Sequence, residues 1–341
     1  MNANRLLDVI DLKVHFMLDE GTVCAVDSVS FHVDEGEIVG LIGESGCGKS
    51  VTAQAIMRIV PNPGRIVSGT INLQADKGGD VDLAKLDSKG KRIRGIRGGT
   101  ISMIFQEPMT SFSPVYTIGN QISEAARIHR GMDKREARLL TAEMLNKVGI
   151  PKASERLDTY PFQLSGGMRQ RAMIAMALCT NPRILIADEP TTALDVTIQA
   201  QILDLIKSLQ QEMGMSMLLI SHDLGVIAEM CHRVAVMYLG RIVESGTVES
   251  VFENPSHPYT QALMNSIPKM SRRAGDLSVI RGSVPNPFER VTGCPFHPRC
   301  EHVMPGRCDQ GRLPERILVD ENHHAACLLH VPTETRTGDR K

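Results

Sequence analysis

Residues 43–50 read GESGCGKS, the pattern G-x-x-x-x-G-K-S of a phosphate loop, also called Walker A. By composition alone, a chain of this length matches it by chance about once in a hundred. Upstream, Glu37–Ile42 is a short apolar run of strand length. Downstream, Val51 to Val60 reads as a helix that Pro61-Asn62-Pro63-Gly64 stops. A strand feeding a glycine-rich turn that opens a helix gathers backbone N–H groups at one point, beside the positive end of the helix dipole. The segment Gly43, Glu44, Ser45, Gly46, Cys47, Gly48, Lys49, Ser50 and Val51 is therefore expected to hold a nucleotide. Lys49 should reach the β- and γ-phosphates, and Ser50 should offer its hydroxyl to Mg²⁺.

The core around this loop reads as α/β. Residues 6–42 alternate apolar and polar side chains around a turn at Asp19-Glu20-Gly21, which predicts an antiparallel strand pair. Phe16, on the first strand, is either an adenine-stacking ring or an ordinary core side chain. Gly69–Leu73 and Thr100–Phe105 read as strands, the second ending at Gln106. Amphipathic helices around Ile118–His129 and Lys134–Val148 form a helical insertion.

Two further motifs point at phosphate chemistry. In QLSGGMRQR, at 163–171, Ser165 can cap a helix whose first turn holds Gly166 and Gly167, leaving its N–H groups open to an anion; the plain alternative is a flexible turn. In ILIADE, at 184–189, a buried strand ends in two acids, at the edge where parallel α/β sheets bind ligands. Asp188 suits Mg²⁺, and Glu189 suits polarising an attacking water. Ala193-Leu194-Asp195 follows in a turn before the helix Ile198–Glu212. A last strand, Ser216–Ile220, leads to His222, which is either structural or placed to touch a γ-phosphate.

Composition excludes other classes. The 341 residues carry a net charge of −1, so no nucleic-acid partner is expected. No 18-residue apolar window predicts a membrane span. No long apolar run follows Met1–Arg5, so no signal peptide is expected, and the 8 Cys are expected to stay reduced or to bind metal.

Together, and in this order, these motifs resemble the ATP-binding subunits of ABC transporters over residues 6–250 or so. GESGCGKS matches Walker A, Gln106 the Q-loop, LSGGM the family signature and ILIADE Walker B. Ala193-Leu194-Asp195 matches the D-loop, His222 the switch histidine and Phe16 the adenine-stacking position. NPSHPYTQALMNSIP at 254–268, GCPFHPRC at 293–300 and QEPMTSFSP at 106–114 resemble the oligopeptide/dipeptide importer branch; Phe112 stands where many members carry Leu.

The resemblance implies an ABC-type nucleotide-binding domain over 1–253, with an antiparallel β subdomain and a helical insertion at about 107–170. A Cys-rich C-terminal region over 254–341 would follow. It implies ATP and Mg²⁺ as ligands, with Ser50, Gln106 and Asp188 at the metal and Glu189, His222 and Gln106 in catalysis. Ser165, Gly166 and Gly167 would serve the nucleotide across a head-to-tail dimer, and Asp195 would also bind the nucleotide. It also implies a second ATP-binding subunit, two transmembrane permease subunits, a coupling helix of which the insertion would receive near Gln106–Gln121, and an extracytoplasmic solute-binding protein. The place would be the cytoplasmic face of the cell membrane, and the solute a peptide, with nickel chelates or oligosaccharides as alternatives. A DNA-maintenance ATPase would need a coiled-coil insertion or a basic surface, and a paired translation factor a second phosphate loop; the sequence carries neither.

Cys294, Cys300, Cys308 and Cys327 fall in the last 48 residues, separated by 5, 7 and 18 residues. The segment is poor in apolar periodicity and is expected to need a staple. Its spacing matches neither common zinc modules nor the compact ferredoxin run, so four thiolates leave zinc, with His297 or His302, and an iron–sulfur cluster both open, beside free thiols. The importer-branch resemblance implies [4Fe–4S]. Cys24, Cys47, Cys179 and Cys231 read as ordinary small residues.

Overall fold

The computed structural model describes residues 5–74, 79–106, 111–192, 195–266, 280–289, 291–311 and 314–331. The expected strand pair forms as β1 (Arg5–Leu18) and β2 (Gly21–Asp34). With β4 (Gly64–Leu73) and β5 (Val81–Asp82) they make an antiparallel sheet in the order β2-β1-β4-β5. The second sheet has eight strands. Its parallel core runs β9 (Arg233–Tyr238), β3 (Ile38–Ile42), β8 (Ser216–Ile220), β7 (Ile184–Asp188), β6 (Ile101–Ile104). Beyond β9 lie β10 (Arg241–Thr247), β12 (His323–Ala325) and β11 (Ile317–Asp320), all antiparallel.

The parallel strands are apolar on both faces because both are covered. Alternate residues serve two cores. Val39 and Leu41, Ile184 and Ile186, and Leu218 and Ile220 face the antiparallel sheet and the helix Lys49–Ile56. Ile38 and Ile42, Leu185 and Ala187, and Met217 and Leu219 face the helices on the other side. Those helices include Ile118–Arg130 and Lys134–Lys147, close to their expected bounds, and Gly166–Leu178. The second is fixed at its start by a capping box between Asp133 and Glu136. Residues 107–110 of the expected insertion lie outside the described residues.

The C-terminal region packs into the body of the protein, in keeping with a segment that forms little core by itself. Cys294, Phe296 and Cys308 belong to the main core, and β12 extends the main sheet through Glu244↔Ala325 and Ser245↔His324. The segment lacks periodicity because it borrows its apolar partners from the body of the protein, as when Phe296 stacks edge-on against Tyr238 with ring centres 5.3 Å apart.

Candidate nucleotide site

Strand order explains the site. Strand β8 lies between β3 and β7, so the chain leaves three adjacent C-terminal strand ends at one edge, carrying the phosphate loop, His222 and the acids of residues 188–189. This is the edge where parallel sheets bind ligands.

The phosphate loop is built as its sequence predicts. The expected helix forms as Lys49–Ile56, with Gly48 at its start in the left-handed region (φ 104°). A Cβ on Gly48 would lie 2.2 Å from the Ala25 carbonyl oxygen, so only glycine fits. Lys49 is buried, and its Nζ donates to the carbonyls of Gly43 (2.8 Å) and Glu44 (3.1 Å). Ser45 and Gly46 are exposed, whereas Cys47 is buried with its Sγ 3.7 Å from Lys49 Nζ. Val51 packs partly into the core.

Ser50 Oγ donates to Asp188 Oδ1 at 3.0 Å, joining two oxygens of the hard type that Mg²⁺ takes. Burial pushes the Asp188 carboxyl above its usual range, the bond from Ser50 and the Lys49 charge working against that shift. A desolvated acid of this kind fits a cation.

Glu189 is the meeting point. One of its oxygens, Oε2, accepts from Gln106 Nε2 (3.0 Å) and Thr192 Oγ (2.9 Å), and lies 3.4 Å from His222 Nδ1. Its backbone sits in the left-handed region (φ 47°), unusual for a glutamate and of the kind that gathers at functional sites. Its N–H is anchored on Ile220 O. Gln106, Glu189 and His222, far apart in sequence, are thus brought together. Thr192, three residues beyond Glu189, was missed; a hydroxyl one turn from a key acid is a weak signal.

Ser165 caps the helix Gly166–Leu178, accepting from Met168 N at 3.3 Å. A Cβ on Gly166 would meet nothing within 4 Å, so this helix end opens onto free space. Gly167 is closer-set, its missing Cβ 3.3 Å from Ile198. Gln170, on the same helix, is buried and donates to the Pro190 carbonyl, tying the signature helix to the acid loop. Asp195 caps the helix Val196–Met213 through Ile198 N (2.9 Å). Ala193 and Leu194 lie outside the described residues.

Phe16 stands opposite Val23 and Gly64, and its ring packs on Gly64, whose Cβ would come within 2.6 Å of it. The neighbouring His15 borders a cleft of about 430 Å³ that also meets Gly46, Thr22, Cys24 and Pro295.

The late cysteines share one small void, lined by Cys294, Cys300, Cys308 and Cys327 with His257, His297 and His302 around them. Each sulfur is approached by a backbone N–H: Phe296 at Cys294, His302 at Cys300, Met304 at Cys308 (3.4 Å) and Leu329 at Cys327. Burial pushes the Cys294 thiol up to about 11 and raises Cys300 and Cys327. Burial also lowers His257 to about 3, and its Nε2 has no partner among the described residues. Among the described residues, no group of three or more His, Cys, Asp or Glu side chains is arranged to hold a metal ion.

A phosphate loop, a serine–aspartate oxygen pair, an acid held by three polar side chains and an open capped helix define an ATPase cassette. Residues 26–192 match the family "ABC transporter", and residues 243–308 match "Oligopeptide/dipeptide transporter, C-terminal region". The chain is 44% identical to a dipeptide transport ATP-binding protein of Escherichia coli, across 96% of this chain and 97% of that one. It is 48% identical to its Haemophilus influenzae namesake across 87% and 88%. A solved dimeric cassette of a bacterial ABC transporter superposes with a TM-score of 0.62 at 27% identity, covering 71% of this chain and 99% of that one. The chain belongs to the family of peptide-import ATP-binding proteins of ABC transporters.

Proposed function

We infer that the chain binds ATP and hydrolyses it to power the import of di- or oligopeptides, as one subunit of a multi-subunit transporter. The observation that carries the chemistry is the convergence of Gln106, Thr192 and His222 on the one carboxylate of Glu189, beside the Ser50–Asp188 pair. Peptide as the solute rests on the relatives' names and on the C-terminal match.

In this reading Lys49 and the loop N–H groups hold the phosphates, and Ser50, Asp188 and Gln106 hold Mg²⁺, which supplies charge neutralisation at the phosphate oxygens. Glu189 orients and polarises the attacking water, and His222 faces the γ-phosphate. Phe16 stacks on the base. Peripheral seating on the cytoplasmic face of the inner membrane fits a chain in which no described helix is long and apolar enough to cross a membrane. The permease pair would dock on the 107–170 insertion, and a binding protein outside the membrane would deliver the solute.

Ser165, Gly166, Gly167 and Asp195 are assigned to the nucleotide of a second ATP-binding subunit, supported by the open space before Gly166. Gly166→Asp puts a negative charge where an anion docks. Its expected result is an unchanged ATP affinity in the isolated subunit, with ATP-driven pairing lost and turnover down roughly a hundredfold. Nucleotide titration beside size-exclusion chromatography checks it; normal pairing, or lost affinity in the monomer, overturns the assignment.

We further propose that Cys294, Cys300, Cys308 and Cys327 hold a [4Fe–4S] cluster. The support is four sulfurs around one void, each facing an N–H, since such hydrogen bonds stabilise metal-bound thiolates. The group would supply a cross-link for the 291–331 segment. Anaerobic preparation should yield brown protein absorbing near 400 nm with about four irons per chain, lost in Cys300→Ser. A colourless protein with one zinc, or iron unaffected by Cys300→Ser, would overturn it.

A further inference from the structure

Glu44 sits one residue into the phosphate loop, and every polar group it has is held by a partner. Its N–H donates to Tyr259 Oη at 2.9 Å, and its carbonyl accepts from Lys49 Nζ at 3.1 Å. Its carboxylate takes the guanidinium fork of Arg299, Nη1 to Oε2 at 2.7 Å and Nη2 to Oε1 at 3.0 Å. Arg299 lies 255 residues away, between Cys294 and Cys300. Its side chain is 4% exposed, against 25% for Glu44. Its Nε donates to the Arg281 carbonyl (3.0 Å), and its guanidinium lies 5.9 Å and 6.0 Å from the ring centres of Tyr238 and Phe296. Those rings also pack on Tyr259, at 4.6 Å and 5.4 Å.

A carboxylate in this loop is electrostatically misplaced. The loop gathers N–H groups to attract phosphate oxygens, and a full negative charge among them repels the ligand. A bidentate arginine neutralises that charge and fixes its direction. We propose that Arg299 is a positioning residue for the phosphate loop, neutralising and orienting Glu44 so that the C-terminal region sets the affinity for ATP. This rests on the ATP-binding reading above. It gives the C-terminal segment a task in the nucleotide site beyond covering a core.

The test is a double-mutant cycle read by titration of a fluorescent ATP analogue. Arg299→Ala leaves Glu44 charged and unpaired, so Kd should rise about tenfold. Glu44→Gln removes the repelling charge, and its own Kd, whatever its value, is the reference for the second arm of the cycle. In the Glu44→Gln background, Arg299→Ala should change that Kd by less than about threefold. Arg299→Lys keeps the charge without the fork and should fall between. The Arg299→Ala penalty should shrink in 0.5 M salt, where exposed charge is screened.

A purely structural Arg299 would lower the melting temperature in both backgrounds alike and give no cycle energy. Arg299→Ala with unchanged affinity, or an equal loss from it in the Glu44→Gln background, overturns the proposal. Should Arg299→Ala not fold, Arg299→Lys in the two backgrounds carries the same test: its loss must vanish with Glu44→Gln. If the unmodified chain itself binds no ATP, the ATP-binding reading fails instead, so the two failures are distinct.

Discussion

Glu189→Gln should bind ATP normally and turn it over 10²- to 10⁴-fold more slowly, the usual loss for a positioned general base. The substitution keeps the size and the carbonyl oxygen of the side chain, so Gln106 and Thr192, which donate to Oε2 at 3.0 Å and 2.9 Å, keep an acceptor. What disappears is the charge proposed to polarise water. The groups expected to bind phosphate, Lys49 and the loop around Gly43–Gly48, are untouched, so binding and turnover should separate. On the proposed pairing with a second ATP-binding subunit, the ATP-bound pair should then accumulate, because hydrolysis would be the step that releases it. Steady-state phosphate release and nucleotide affinity in the assembled complex check this. Turnover within threefold of normal would remove Glu189 from the chemistry, whatever its hydrogen bonds.

Much of this site is legible in the sequence because its parts are local. A phosphate loop needs only eight consecutive residues, and the strand ending at Asp188-Glu189 shows itself by four apolar positions and two acids. The gathering of Gln106, Glu189 and His222 follows from strand order, which the sequence does not spell out but which parallel α/β topology makes expected. What stayed hidden is non-local. Tyr259 reaches Glu44 across 215 residues and Arg299 across 255; both stand in stretches that the sequence singles out, NPSHPYTQALMNSIP and GCPFHPRC, but nothing in those stretches says that they meet the phosphate loop. Gln170 is not singled out by the sequence, yet it is buried against Pro190. The C-terminal segment reads as core-poor for the same reason: periodicity reports burial only when an element forms its own face, and Cys294, Phe296 and Cys308 are covered by another part of the chain.

The residue that docks this segment is Glu244, and its loss should be the most destabilising change in the C-terminal half. Glu244 lies on β10, is fully buried, and receives three donors: Ser256 N (2.6 Å), His257 N (2.8 Å) and His323 Nε2 (2.7 Å). It therefore joins β10, the turn that opens the helix Pro258–Asn265, and β12 at one carboxylate. Glu244→Leu fills similar volume but leaves two backbone N–H groups and a buried imidazole without an acceptor. Removing one partner of a buried, hydrogen-bonded charge costs about 3–5 kcal/mol, because the groups left behind remain desolvated. Glu244→Gln, which keeps one acceptor oxygen, should cost less than half of that. Denaturant midpoints at constant m-value measure both. The helix loosened by Glu244→Leu carries Tyr259, whose hydroxyl holds the Glu44 N–H, so ATP affinity should fall together with stability, and more steeply than in Glu244→Gln. A Glu244→Leu chain within about 1 kcal/mol of the parent would mean that water replaces the carboxylate and that the docking of β12 rests on apolar contact instead.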